Sequence, residues 1–421
     1  MLNLTLHKIE TDDWTAFVQE SRARLGGADN PALMPAHYLY VILPKIGGCG
    51  LTVASDGQTC GYGYIFPRQM EGDVPAYTLR YHPVPGAPAV NPSELTRQTA
   101  ALIASQCRVV FYDPLTPKTY TPSHRMLGGV DFGRATAAEA KAARTIQQTV
   151  WNNPPEVLYP VDIYSNEFAL ATALVARVDG QTAGFLLGMT KFGGYELPLL
   201  WQKRLNHRVR LESQVMAVSP AFRGKHIAFS FKKIQAEDAL AKGIDIINWT
   251  ADPLQFANAA LNFTRLGAVA YEMHPALYAF HNELNQVAAS RFSLTWLVGS
   301  VRVQEILSGR RSTAIVDLAH RSEIVRVNDG PIATRFDAHT PTIAFEIPAD
   351  WSQLQQRDLA QAQRWRESTD ELFAHFLGKE EDRYLITGAG VDGERRFLIG
   401  ERVTDELLTQ LLGNDKGGLS L

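Results

Sequence analysis

Cysteine is scarce in this sequence: three in 421 residues, Cys49, Cys60 and Cys107, all in the first quarter. An odd number without short ligand-type spacing argues against a disulfide framework and a zinc site, and points to buried free thiols in a reducing compartment. Charge of one sign is lacking too. Forty-one Lys and Arg against 44 Asp and Glu leave a net charge of −3. Without a basic excess or a Lys/Arg block there is no field to grip nucleic acid. No apolar run reaches the ~18 residues that a spanning helix needs. The opening Met-Leu-Asn-Leu-Thr-Leu-His-Lys alternates like a strand and lacks a signal peptide's charged start and apolar stretch. These absences predict a cytoplasmic protein with no metal site and neither a nucleic-acid nor a membrane partner. What is present is 45% hydrophobic and 20% charged, a globular mix in a chain long enough for two or three cores.

Two stretches resemble each other. Asp56-Gly57-Gln58-Thr59-Cys60-Gly61-Tyr62 is echoed by Asp179-Gly180-Gln181-Thr182-Ala183-Gly184-Phe185, each a tight-turn pair between alternating strands. Further on, Val109–Tyr112 runs into Asp113-Pro114-Leu115, as Ile246–Thr250 runs into Asp252-Pro253-Leu254. Between these landmarks each half carries a strand, a proline and a helix-like segment: 77–81, Pro83 and 92–104, then 211–218, Pro220 and 226–242. The second copy is longer by an insertion around 193–210, rich in aromatic and basic residues. Duplication explains the order; coincidence of common Asp-Gly turns and Asp-Pro strand ends is the alternative. In the second helix, Ile227, Phe231, Ile234 and Ala241 form one apolar stripe with Lys232, Lys233, Glu237 and Asp238 off it. After residue 300 the pattern predicts a smaller α+β region, with a strand at 342–347, one long helix at 354–377, a hairpin across Asp392-Gly393, and loops at 308–312 and 329–331.

The segment that carries chemistry is Leu211-Glu212-Ser213-Gln214-Val215-Met216-Ala217-Val218-Ser219-Pro220-Ala221-Phe222-Arg223-Gly224-Lys225-His226-Ile227-Ala228. A strand stops at a proline, a short loop carries Arg-Gly-Lys, and an amphipathic helix begins at once. Such a strand–loop–helix aims backbone N–H groups and a positive helix end at one point, which suits a diphosphate.

Here the sequence resembles the GNAT acyltransferase superfamily, whose acyl-CoA loop reads Arg/Gln-x-x-Gly-x-Gly/Ala after a strand ending Val-x-Pro. Arg223 matches the first position and Ala228 the last, while His226 stands where the family usually has glycine. Downstream, Trp249-Thr250-Ala251-Asp252-Pro253-Leu254-Gln255 and Asn258 through Leu266-Gly267-Ala268 resemble one little-characterised GNAT branch. The resemblance is firm over about 205–300 and plausible from 131. It implies a mixed α/β (α+β) sheet fold and a tandem: a degenerate GNAT-like copy at 1–125, an acyl-CoA-binding domain at 131–300, and the C-terminal α+β region at 301–421. The first copy has Val84-Pro85-Gly86-Ala87-Pro88 where the loop should be, so it is expected not to bind CoA.

The resemblance further implies that Met216, Ala217 and Val218 offer backbone groups to the pantetheine arm. Arg223, Gly224, Lys225, His226, Ile227 and Ala228 would hold the pyrophosphate, and Asn258 would reach the pantetheine. Transfer to an amine needs a proton acceptor and a group to meet the leaving thiolate. Glu212 is the nearest carboxylate, and simple alternation puts it on one face with Gln214 and Met216. Phe263 occupies the place where related enzymes carry a tyrosine acid, leaving Tyr278 as the substitute, with Tyr271, His274 and His281 behind it. The expected activity is acyl-CoA-dependent N-acylation, acetyl or succinyl, of a small amine or amino acid. Arg204, Arg208 and Arg210 are either a solvated basic loop or a carboxylate site. The competing reading is a non-catalytic binding or scaffold protein whose CoA site His226 has spoiled.

Overall fold

The structure, a computed structural model, describes residues 4–104, 106–194, 196–278 and 286–413. Strand β1 (Leu4–Lys8) and helix α1 (Trp14–Arg24) come first, then a single turn α2 (Leu43–Lys45), β2 (Cys49–Ser55), β3 (Gln58–Glu71), β4 (Val74–Pro83), α3 (Pro92–Ile103) and β5 (Arg108–Tyr112). Next are β6 (Arg125–Leu127), β7 (Val130–Gly133), α4 (Ala137–Trp151), β8 (Thr172–Val178), β9 (Gln181–Phe192) and α5 (Leu199–Arg204). Then follow β10 (Val209–Val218), α6 (Ile227–Ala241), β11 (Ile247–Ala251), α7 (Phe256–Ala259), β12 (Val269–Tyr278), β13 (Ala289–Trp296) and α8 (Val301–Leu307). Four two-residue strands, β14 (Val316–Asp317), β15 (Val325–Arg326), β16 (Asn328–Asp329) and β17 (Ile332–Ala333), precede β18 (Thr342–Ile347). Helices α9 (Trp351–Arg357) and α10 (Leu359–Phe376), the hairpin β19 (Tyr384–Asp392) and β20 (Arg395–Arg402), and α11 (Asp405–Leu412) complete the chain's described elements.

The chain folds as mixed α/β in two compact units, Met1–Gly194 with Arg208–Phe231, and Tyr195–His207 with Lys232–Leu421. The boundaries 1–125, 131–300 and 301–421 follow the internal repeat, whereas compactness groups the chain in this other way. The first unit holds a sheet ordered β1-β2-β3-β4-β5 and a run β6-β7-β8-β9-β10. All pairings are antiparallel except β4–β5, a parallel ladder from Ala76↔Arg108 to Arg80↔Tyr112. One core joins the two: Phe17, Tyr38, Tyr62 and Tyr64 meet Ala143, Val175, Phe185, Leu187 and Met189. The opposite face of the first sheet, with Leu51, Val53, Ile65 and Leu79, packs with Leu95 of α3. In the second unit the order is β15-β18-β20-β19-β12-β13-β11. Residues beyond 300 therefore extend the sheet of β11–β13, through Ala270↔Ile386, and Phe373 of α10 packs edge-on against Phe292 at 4.7 Å.

The two Asp-Gly hairpins share more than their turns. Both central residues of each have positive φ, 49° and 80° at Asp56-Gly57 and 50° and 75° at Asp179-Gly180, the tight hairpin geometry that those residues favour. Each second strand then carries one extra residue at the same distance from the turn. Val53 pairs with Gly61 and Ala54 with Thr59, leaving out Cys60; Ala176 pairs with Gly184 and Arg177 with Thr182, leaving out Ala183. These are β-bulges. The glycine after each bulge faces the backbone of the next strand. A Cβ on Gly61 would run into Tyr81 Oη and His82 O, and one on Gly184 would lie 2.6 Å from Ala217 O.

Several expectations need correction. Residues 354–377 form two helices, broken at Asp358, whose φ of −147° is extended and whose carboxylate accepts from Gln361 N. Of residues 329–331, Asp329 ends β16, while Gly330 and Pro331 form the turn into β17. Ala241 is exposed, while Lys232 is buried with its Nζ 3.7 Å from the centre of the Trp249 ring. Cys60 alone is a buried thiol, with Cys49 and Cys107 half-buried.

Candidate functional site

Strand β10 decides where the proposed loop sits. Its ladder to β9 runs Glu212↔Met189, Ser213↔Gly188, then Val215↔Leu187 through Val218↔Gly184, so Gln214 is an extra residue. A bulge reverses the in–out alternation beyond it. Paired residues of an antiparallel ladder point the same way, which puts Glu212 with Val215 and Ala217, the side of Met189, Leu187 and Phe185. Met216 and Val218 point the other way. The expected shared face of Glu212, Gln214 and Met216 is therefore overturned by one inserted residue.

Glu212 is buried, and its Oε2 accepts from Lys191 Nζ at 3.1 Å; the two side chains are 10% and 2% exposed. Burial pushes the Tyr38 hydroxyl's pKa well up, and the nearby Glu212 carboxylate adds to it. Nothing in the local sequence marks Lys191 as a partner of Glu212. It lies 21 positions from its partner, on the adjacent strand, and only the register brings them together.

Past Val218, Ser219 N–H donates to Ala183 O at 2.9 Å, and Pro220–Phe222 makes one tight turn. Arg223, Gly224, Lys225 and His226 are all exposed. Gly224 has φ 81° and His226 φ 56°. A Cβ at Gly224 would meet nothing within 4 Å, so conformation and not space calls for glycine there. His226 keeps the left-handed backbone that a glycine would adopt, against the strain of its side chain. Helix α6 then starts with Ile227, 2% exposed, and Phe231, fully buried edge-on to Phe132 at 5.2 Å. A Cβ on Gly184 would sit 3.4 Å from the Phe231 ring, so the repeat's glycine also lets the helix's first turn settle. That turn has no acidic residue. Ala228 is half-buried, as are Met216 and Val218, and Ala217 is buried.

The corresponding helix in the first half differs. The Asn91 side chain accepts from Ser93 N and Glu94 N, and Glu94 in the first turn pairs with Arg97. That end carries its own cap and its own negative charge.

Asn258 and Tyr278 belong to the second unit. Asn258 is exposed on α7, which continues into a wide π turn, Ala260–Arg265. The Tyr278 hydroxyl is 3.2 Å from Thr250 Oγ1, and the Arg291 guanidinium lies 5.5 Å from its ring centre. Tyr271 is buried, its hydroxyl donating to Glu196 O; His274 meets Ser293 Oγ at 2.8 Å. His281 lies outside the described residues. Arg208 pairs with Asp73 on the surface, while Arg210 is buried. Asp252 receives Arg366 at 2.8 and 2.9 Å and Arg291 at 3.2 Å, and Gln255 donates to Ser352. Two residues of the signature thus hold the region beyond 300, a role that nothing local in the sequence announces. Among the described residues no group of three or more His, Cys, Asp or Glu is placed to hold a metal ion, and no helix is long and apolar enough to cross a membrane.

No protein-family model matches the sequence, and no curated protein matches it. Solved structures do. The chain is similar to an acetyltransferase of the GNAT family from Streptococcus pneumoniae, at 11% identity and a TM-score of 0.30 over 39% of this chain and 97% of that one. It is similar to diaminobutyrate acetyltransferase EctA from Paenibacillus lautus, solved with L-2,4-diaminobutyric acid and coenzyme A, at 16% and 0.28 over 40% and 95%. It is also similar to NAA60 from Arabidopsis thaliana, in complex with acetyl-CoA, at 9% and 0.32 over 40% and 99%.

Proposed function

We propose that this protein is an acyl-CoA-dependent N-acyltransferase, acetyl or succinyl, acting on a small amine or amino acid, and that 1–125 and 131–300 are tandem copies of one fold. The repeated turn, bulge and glycine support the tandem. The observation that carries the activity is the loop from Ser219 to His226. Its two left-handed residues, exposed Arg223 and Lys225, and acid-free helix start match what a pyrophosphate needs: backbone N–H groups, a positive dipole end and cations. The residues fit the group, and acyl-CoA when bound supplies an activated thioester.

The chain's own residues supply the rest. Met216, Ala217 and Val218 present backbone at the strand end, and residues 223–228 hold phosphate oxygens. Glu212 is the proposed proton acceptor, held in place by its hydrogen bond from Lys191. Its face differs from that of Met216, so its proton arrives through water. Asn258 and Tyr278 keep the roles that the resemblance gives them, pantetheine contact and proton donor to the leaving thiolate. The test is thermal shift with millimolar acetyl-CoA and succinyl-CoA, since a ligand that binds only the folded state raises Tm by mass action. Arg223→Glu places a negative charge against the diphosphate and abolishes the shift. No shift with either compound favours the scaffold reading instead.

A further inference from the structure

The second unit contains a cavity of about 260 Å³ whose lining takes in Phe263 but none of the residues given a role under the proposed function. Its floor is the π turn Ala260–Arg265, which contributes Phe263 and Thr264; its walls include Arg302, Arg321, Thr387 and Glu401. π turns and β-bulges both concentrate at functional sites, and here they meet. Thr387 is the bulged residue of β19, skipped between Ile386↔Gly400 and Gly388↔Ile399. Thr264 is 7% exposed and its Oγ1 is buried without a partner, a cost that a ligand or ordered water would relieve.

Charge is arranged in two parts. Arg302 donates one N–H to Gly267 O at 2.8 Å, out of the five that a guanidinium carries. Burial, with Arg311 nearby, pulls its pKa down to about 10, while Glu401 acts to raise it. Arg321 lies on the exposed wall, paired with Glu323. Glu401 accepts from the Thr387 hydroxyl, which leaves it further acceptor sites. Phe263, Ile324 and Ile399 add apolar surface. The volume lies just below the roughly 300–1,000 Å³ usual for small-molecule sites, which suits a small metabolite.

We propose that this cavity binds a free α-amino acid, with its carboxylate on Arg302 and Arg321, its ammonium on Glu401, and its side chain against Phe263, Ile324 and Ile399. Two arginines and a carboxylate lining one cavity are the complement of a zwitterion, whereas a simple anion would leave the Glu401 charge unmatched. This proposal goes beyond the acyltransferase reading, and its test uses no acyl-CoA, so either can fail alone.

The test is calorimetry on the full chain with the twenty amino acids singly, plus succinate, inorganic phosphate and the decarboxylated and deaminated analogues of any binder. At least one amino acid binds in the millimolar range or tighter, and both of its analogues bind about tenfold weaker or not at all, since each loses a charge-assisted contact. Glu401→Gln, which keeps an acceptor for Thr387, and Arg321→Ala, on the exposed wall, each weaken binding, with an unchanged Tm showing that the fold survives. Arg302→Lys weakens it most. Binding by none of the twenty overturns the proposal. So does succinate or phosphate binding as tightly as any amino acid, or affinity unchanged in both Glu401→Gln and Arg321→Ala.

Discussion

Glu212→Gln gives different results according to whether Glu212 moves a proton or merely balances Lys191. The glutamine keeps size and hydrogen bonding, but it takes the Glu212 charge away from the Lys191 ammonium, 2% exposed. Removing one partner of a buried pair costs about 3–5 kcal/mol. For a unit of this size each kcal/mol moves Tm by roughly 2–4 °C, so the single variant melts on the order of 10 °C lower. Lost activity in that variant alone would therefore be ambiguous. The double variant Glu212→Gln with Lys191→Met removes both charges and replaces them with groups of similar reach. Buried pairs exchanged together for neutral packing are often close to neutral in stability, so Tm returns towards wild type. If Glu212 is the proton acceptor, kcat in the double variant stays down by about a hundredfold, the range of general-base loss, while acyl-CoA affinity is retained. The assay is acyl transfer followed by thiol release, run beside differential scanning calorimetry. A double variant that recovers both Tm and activity, to within about threefold of wild type, would refute the catalytic assignment and leave the pair a structural one.

Replacing His226 with glycine removes the strain of a side chain at φ 56°, worth about 1–2 kcal/mol, against about 0.5–1 kcal/mol of added chain entropy; Tm holds or rises slightly and calorimetry shows acyl-CoA affinity equal or better, whereas a marked loss means that the imidazole itself binds phosphate. Asp252→Asn takes from Arg366, 3% exposed, the carboxylate that it hydrogen-bonds, so Tm falls in line with about 3–5 kcal/mol; a neutral result would show that this network adds nothing to stability. Burial and Arg22 hold His37 near pKa 4, below its usual 6.5. The unfolded chain therefore binds the extra proton first as pH falls, and stability drops between about pH 6.5 and 4, by about 3 kcal/mol from this group; His37→Gln flattens urea-midpoint profiles over that window. Burial also pushes the Cys49 thiol up to about 11, so its alkylation at pH 8 is much slower than that of a free thiol and accelerates tenfold per pH unit up to that value; a rate already level at pH 9 would contradict it.

What could be read from the chain was local. Asp-Gly turns state their own backbone geometry, and the strand–proline–loop–helix around 211–228 is continuous in sequence, so both were legible. Even the break at Asp358 had a signal: an aspartate three residues before Gln361 is a helix start, hidden by the unbroken periodicity around it. The bulge at Gln214 had none, because a bulge is a property of two strands and one strand's residues do not announce the register of its neighbour. Lys191 beside Glu212, and Arg366 on Asp252, are hidden for the same reason. Lys232 is buried although it lies off the apolar stripe, because a single stripe does not reveal a helix that is covered on more than one side.

The two helices that follow β4 and β10 have settled the same electrostatic problem in opposite ways. In α3, Asn91 and Glu94 provide covalently what a helix start demands, an acceptor and a negative charge, so that end is finished when the chain folds. The first turn of α6 carries no such charge, and its preceding residue is held in a strained conformation. An anion arriving at that turn meets no negative side chain of its own, and its amide hydrogens should then exchange more slowly than in the anion-free protein. Two helices that each follow a strand can in this way differ, one carrying its own charge as ballast and the other responding to the charge dissolved around it.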